Sequence, residues 1–206
     1  DLHAEAPSYA DRPIEELFAR SEALPLAGAT AVRVPSPADH LRLMSLHLLA
    51  HGAWRPTWLC DVAAAVETRR AAFRWDDCLS GDPRRTEAVA CVIGLASRLL
   101  GADLAGTPCE PRARTLPWWL APAVLRQWEE GAGASAHGPM ADRMSGMLRR
   151  PRSLMREFRL RWRNPIQASF ELHAPFNALP RLPFQIAATA RRAPSFLREW
   201  RRRRHA

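Results

Sequence analysis

Residues 47–61 read "HLLAHGAWRPTWLCD" and put two histidines, an arginine, a tryptophan and an aspartate within fifteen positions. His47 and His51 are four residues apart, so a helix would carry both on one face. That is the spacing by which a helix offers two ligands to one zinc ion. A metallohydrolase helix of this kind also needs a glutamate directly after its first histidine, to act as general base. Here that position is Leu48. Asp61 would complete a three-ligand set only if two helices folded back on each other. Two other readings stand beside the metal. In one, the stretch is a helical hairpin in which Asp61 accepts hydrogen bonds from Arg55 or an imidazole across the seam, with Trp58 and Leu59 packed inside. A half-buried carboxylate needs such a partner. In the other, His51, Arg55 and Asp61 meet a ligand.

The neighbouring residues predict the elements that hold this stretch. "SPADHLRLMSLHLLAHG" has Ser36 as N-cap, Pro37 in the first helical position and Asp39 in the first turn. Leu41, Met44 and Leu48 then recur at helical spacing until Gly52 and Pro56 interrupt it. Arg55 precedes that proline, which pushes it out of helical geometry into the connection. A second helix is expected at about 57–69. "WDDC" at 75–78 reads as a short helix or turn, and Asp82 caps a long helix that stops at Gly101. Upstream, "DRPIEELFARSEAL" predicts a short helix with Asp11 as N-cap, and "LPLAGATAVRVPSP" a small hairpin around Gly28. A further helix ends at Gly131.

Composition sets limits. No run of about eighteen apolar residues is available to span a bilayer. Cys60, Cys78, Cys91 and Cys109 form no CxxC pair, which argues against a structural zinc site and fits a reducing cytosol. All 30 basic side chains are arginine, so no mechanism that needs a lysine is open to the chain. The charge is uneven. Residues 1–136 carry 14 Arg against 17 acids, and residues 137–206 carry 16 Arg against 4 acids, so the net +9 belongs to the tail. "GAGASAHGP" at 131–139 is the linker between the two. Beyond it, apolar residues and arginines alternate at three- and four-residue steps over 143–204. That pattern suits contact with an anionic membrane or with nucleic acid, or an apolar stripe laid on the body with its arginines in water.

The succession "HLRLMSLHLLAHGAWRPTWLCDVAAAV", "FRWDDCL" and "GLASRLLGADL", with "DLH" at the start, resembles a bacterial group of uncharacterised nucleotidyltransferases of the polymerase-beta-like superfamily. The resemblance covers about residues 1–105. It implies a mainly α fold, the helical C-terminal part of an α+β nucleotidyltransferase with a small N-terminal strand and hairpin region. Residues 1–35 would be the remnant of the core, 36–131 the helical body, and 132–206 the linker and arginine-rich amphipathic tail. Members hold Mg²⁺ with two acids on one strand and a third on its neighbour, and Asp1 matches the third, as catalytic residue and metal ligand. The Gly-Ser turn and the Asp-x-Asp strand have no match here, so a C-terminal portion is expected, with a degenerate relative as the second reading. The implied activity is cytosolic transfer of a nucleoside monophosphate from an NTP to an unidentified acceptor. His51, Arg55 and Asp61 would lie on the wall of the nucleotide cleft, with Arg55 as phosphate contact because its fork suits oxyanions. A different class remains open: a non-catalytic helical module that binds nucleic acid, membrane or protein through its basic tail.

Overall fold

Ser36 caps the first long helix as its sequence predicts: its hydroxyl accepts the backbone N–H of Asp39, and Pro37 occupies the first turn. The computed structural model describes residues 10–25, 31–130 and 162–192. In chain order these form α1 (Ile14–Ala19), β1 (Glu22–Pro25), β2 (Ala31–Val34), α2 (Pro37–Ala50), α3 (Pro56–Glu67), α4 (Trp75–Cys78), α5 (Pro83–Leu100), α6 (Glu110–Arg114), α7 (Leu120–Glu130), α8 (Pro165–Glu171) and a helix α9 over 182–192. The fold is mainly α with a small N-terminal hairpin. β1 and β2 pair antiparallel, from Glu22 opposite Val34 to Pro25 opposite Ala31.

α2 lies at the centre because two of its faces are apolar. Leu41, Leu46, Leu48 and Leu49 are buried against Leu59, Val62 and Val66 of α3 and against Val89, Val92 and Ile93 of α5. α5 is capped by Asp82 and ends at Gly101 in the left-handed conformation, as expected. Trp119, Leu120 and Val124 extend the same core. So do Ile166, Phe170 and Phe176, although 165–176 falls in the stretch expected to be the arginine-rich tail. The remainder of that tail, 143–161 and 193–204, lies outside the described residues, as does the "DLH" strand. Among the described residues, no helix is long and apolar enough to cross a membrane.

The N-terminal segment is tied to this bundle by ions rather than by apolar area. Asp39 is wholly buried, yet it receives Arg12 Nη1 at 2.6 Å, Arg20 Nε at 2.9 Å, Arg20 Nη2 at 2.9 Å and the Ser36 hydroxyl at 2.9 Å. The second nitrogen of Arg12 donates to the carbonyls of Asp77 and Ser80, which ties in the end of α4 and the segment after it. One turn further along α2, Arg42 is 1 % exposed and donates to both carboxylate oxygens of Asp11 and to the Cys78 carbonyl. Asp11 is therefore not the cap of α1, whose N-cap is Pro13. A two-pronged bond with a buried guanidinium outweighs the single backbone N–H that a cap would satisfy.

Burial alone would raise the pKa of Asp39, but the bonds from Arg20, Ser36 and Arg12 outweigh it and hold the group below its ordinary 3.8. A depressed folded value stabilises the fold fully above the ordinary value and loses that contribution as pH falls through the folded one. Asp39→Asn is expected to cost about 3–5 kcal/mol at pH 7, because it leaves the buried Arg12 without its carboxylate, while Arg20 keeps Glu16. It should also flatten the acid limb of the stability profile below about pH 4. Urea melts of both proteins at a series of pH values test this, and equal midpoints at pH 7 would refute it.

Candidate functional site

The connection between α2 and α3 turns sharply at two consecutive residues of positive φ, Gly52 at 74° and Ala53 at 58°. Only glycine takes such a backbone without strain, and alanine holds it here because its neighbours fix it. Trp128 of α7 donates its indole N–H to the Ala53 carbonyl at 2.9 Å. Asn164, the N-cap of α8, donates to the Gly52 carbonyl at 3.1 Å and to Gln127 at 3.0 Å. Any Cβ on Gly52 would stand 2.1 Å from the Asn164 amide nitrogen.

Past the turn, Arg55 is extended (φ −95°, ψ 117°), the geometry its following proline imposes. Its guanidinium carbon sits 4.4 Å from the ring centre of Trp54 and 5.5 Å from that of Trp58, within cation–π range of both. The two indoles meet edge to face at 5.4 Å. His47 and His51 stand with ring centres 4.5 Å apart, and Trp58 is 4.6 Å from His47 and 5.4 Å from His51. The result is a platform of two imidazoles and two indoles beneath an exposed arginine. Burial, then the positive charge of His51 and Arg55, lowers the pKa of His47, so that ring is neutral at pH 7.

The hairpin is there, but its seam is aromatic. Asp61 is exposed, and among the described residues no hydrogen bond or ion pair reaches it. A solvated carboxylate needs no protein partner, which removes the reason for the seam bond expected from sequence. Leu59 is buried as expected, whereas Trp58 is only half-buried, with one side on the core and one on the rings. His51 and Arg55 are thus brought together, while Asp61 faces water on α3 about one turn beyond Trp58. Asp1 lies outside the described residues. Among those described, no group of three His, Cys, Asp or Glu is placed to hold a metal, so they do not form the Mg²⁺ site that the resemblance implies. Cys78, Cys91 and Cys109 are free thiols that burial pushes up to about 12, 11 and 12, which makes them inert rather than nucleophilic.

The spacing of motifs around this platform has a counterpart in a known family. Residues 1–101 match the model of an uncharacterised nucleotidyltransferase family. Residues 1–101, just under half of the chain, are similar to that family. The matched segment runs through α5, so the whole platform lies inside it, whereas Trp128 and Asn164, which clamp the turn, lie beyond it. No curated protein and no solved structure gives a significant match. A nucleotidyltransferase-like role follows for the segment in general terms.

The sequence reading missed Trp54 and the clamp. The Trp54–Arg55–Trp58 grouping was visible as a cation flanked by indoles, but Trp128 and Asn164 are 75 and 112 residues from their partners in the turn and carry no local signal. Gly52→Ala is expected to lower stability by about 2 kcal/mol, from its positive φ together with the clash with Asn164. A urea midpoint equal to wild type would show that the turn is not clamped.

Proposed function

We propose that the chain acts in transfer of a nucleoside monophosphate from an NTP to an acceptor, and that the Trp54–Arg55–Trp58 face is where its helical body meets the nucleotide. The observation that supports this reading is the placement of Arg55. Proline geometry and two indole faces hold it in one place at the surface, where its fork is open to a phosphate. An aromatic face beside a fixed cation suits a nucleotide on both counts, since a base stacks on indole while the guanidinium takes the phosphate charge. Exposed His51 would supply a further donor. Asp61, solvated on the same helix, is suited to accept from a ribose hydroxyl or a base amino group. In this reading Mg²⁺ belongs near Asp1, which would contribute one carboxylate to it; the metal would neutralise the triphosphate and orient the attacking oxygen. The body's own part is to bind and orient the nucleotide.

Two half-buried or exposed tryptophans make the test direct. Titration of the chain with each of the four NTPs should quench tryptophan fluorescence. Arg55→Ala is expected to weaken that binding by about tenfold, the value of one charge-assisted contact. Trp54→Ala should weaken it by a similar factor through lost stacking, about 1–3 kcal/mol per base. If Arg55→Ala keeps wild-type affinity and turnover, the nucleotide does not meet this face.

A further inference from the structure

The start of α5 and the end of α8 meet around a buried cation, Arg85, that has no carboxylate partner among the described residues. Asp82 caps α5 by accepting the Arg85 backbone N–H at 2.8 Å, which sets Arg84 and Arg85 on the first turn, facing the segment after α8. There Arg84 donates to the His173 carbonyl at 2.6 Å, and Nη2 of Arg85 lies 3.1 Å from Nε2 of His173. Because a guanidinium can only donate, Nε2 is the acceptor and the imidazole is neutral with its proton on Nδ1. Arg85 is 9 % exposed, its guanidinium carbon sits 3.6 Å over the Phe170 ring, and its Nε is buried with nothing bonded to it. No carboxylate among the described residues forms an ion pair with it. Asp11 and Asp82 act on it only through space, and Arg42 opposes them. Burial lowers its pKa, the mark of a charge short of compensation.

Beside this guanidinium opens a cleft of about 460 Å³, lined by Arg85, Phe170, Glu171, His173, Arg191 and Arg192. Its single carboxylate is already engaged, since Glu171 takes Arg163 at 2.8 Å and Arg192 at 3.1 Å. Among the described residues, three guanidinium groups and the one carboxylate of Glu171 line the cleft, and Arg192 is already engaged. We propose that this cleft is an oxyanion site that takes a phosphate group, with Arg85 as its buried charge and Arg191 as its exposed donor. Planar forks from two helices suit the tetrahedral oxygens of phosphate, and Phe170 below Arg85 fixes the fork before the ligand arrives. Ala50, the last residue of α2, also lines the cleft. The site thus opens at the end of α2 that leads into His51, but it uses none of the platform residues.

Inorganic phosphate is the probe, titrated at low salt into the whole 206-residue chain with calorimetry and the histidine ring resonances as readouts. Saturable binding that shifts the His173 resonance is expected. Arg191→Glu, an exposed change, should weaken it by about tenfold or more, and Arg85→Gln should do the same. Arg55→Ala should leave it unchanged, which separates this site from the nucleotide platform. An NTP that shifts both His51 and His173 would identify the phosphate as the nucleotide's own, whereas an NTP that shifts His51 and leaves His173 to inorganic phosphate would assign the site to a separate phosphorylated ligand. Binding that is indifferent to Arg191→Glu, that leaves His173 unmoved, or that is undetectable at millimolar phosphate overturns the proposal. Should Arg85→Gln fail to fold, the Arg191 variant decides the matter alone.

Discussion

A carboxylate with no exposure to water must find as much hydrogen-bonding capacity inside the protein as it has given up outside, and Asp39 finds it in two guanidinium groups and a hydroxyl. Its partners come from before α1, from the end of α1 and from the cap of α2, so one side chain fixes three segments at once. Arg12 then carries the constraint onward to carbonyls at the end of α4 and just after it, and Arg42 repeats the arrangement with Asp11 one turn along the same helix. α1 and the hairpin offer little apolar surface of their own, since Leu17 is the one buried residue of α1 and both strands are largely exposed. What holds the N-terminal segment on the bundle is this ion network, and the position of the described residues before Ser36 follows from it.

The chain has no lysine, and its buried arginines show three solutions to one problem. Arg42 is neutralised by a carboxylate. Arg181, 5 % exposed, spreads its donors over the carbonyls of Pro175, Asn177 and Leu179 and lies between the rings of Trp119 and Phe184. Dipoles and ring faces replace the anion, and they also pin the loop between α8 and α9. Arg85 has a ring below it and a neutral imidazole beside it, but among the described residues neither a carboxylate nor a set of carbonyls. Among these three, it is the one whose surroundings are incomplete without something added. Lysine could not take the second or third of these roles, because its ammonium lacks a planar face to stack and a fork to divide among acceptors.

The helices were legible where the signal is local. Ser36–Pro37, Asp82 and Gly101 are cap and stop residues whose effect reaches only a few positions, and all three act as their sequence context indicates. Arg55 before Pro56 is another such case, since the constraint is one residue long. Asp11 was misread because its sequence offers an immediate use, as a helix cap, while its actual partner is 31 residues away. Asp61 was misread for a related reason: periodicity tells which face of α3 is apolar, but not whether a polar residue at the margin of that face is covered. The platform was half legible, for the histidine pair follows from spacing four, whereas its meeting with Trp54 and Trp58 depends on a turn that other helices impose.

That dependence bears on where the functional unit ends. The family segment supplies His47, His51, Trp54, Arg55 and Trp58, yet the positive φ angles of Gly52 and Ala53, which aim α3 and with it the indoles, are held by Trp128 and Asn164 from outside the segment. α8 does two things at once. Its N-cap closes on the turn, and its buried face, Ile166 and Phe170, completes the core beside α2. The same Phe170 carries the guanidinium of Arg85 at the other end of α8. A displacement of α8 would therefore alter the turn and the Arg85 cleft together, because a seven-residue helix packed at both ends moves as a body. α8 thus joins the turn at Gly52 to the cleft at Arg85, both inside the matched residues, through a helix that lies outside them.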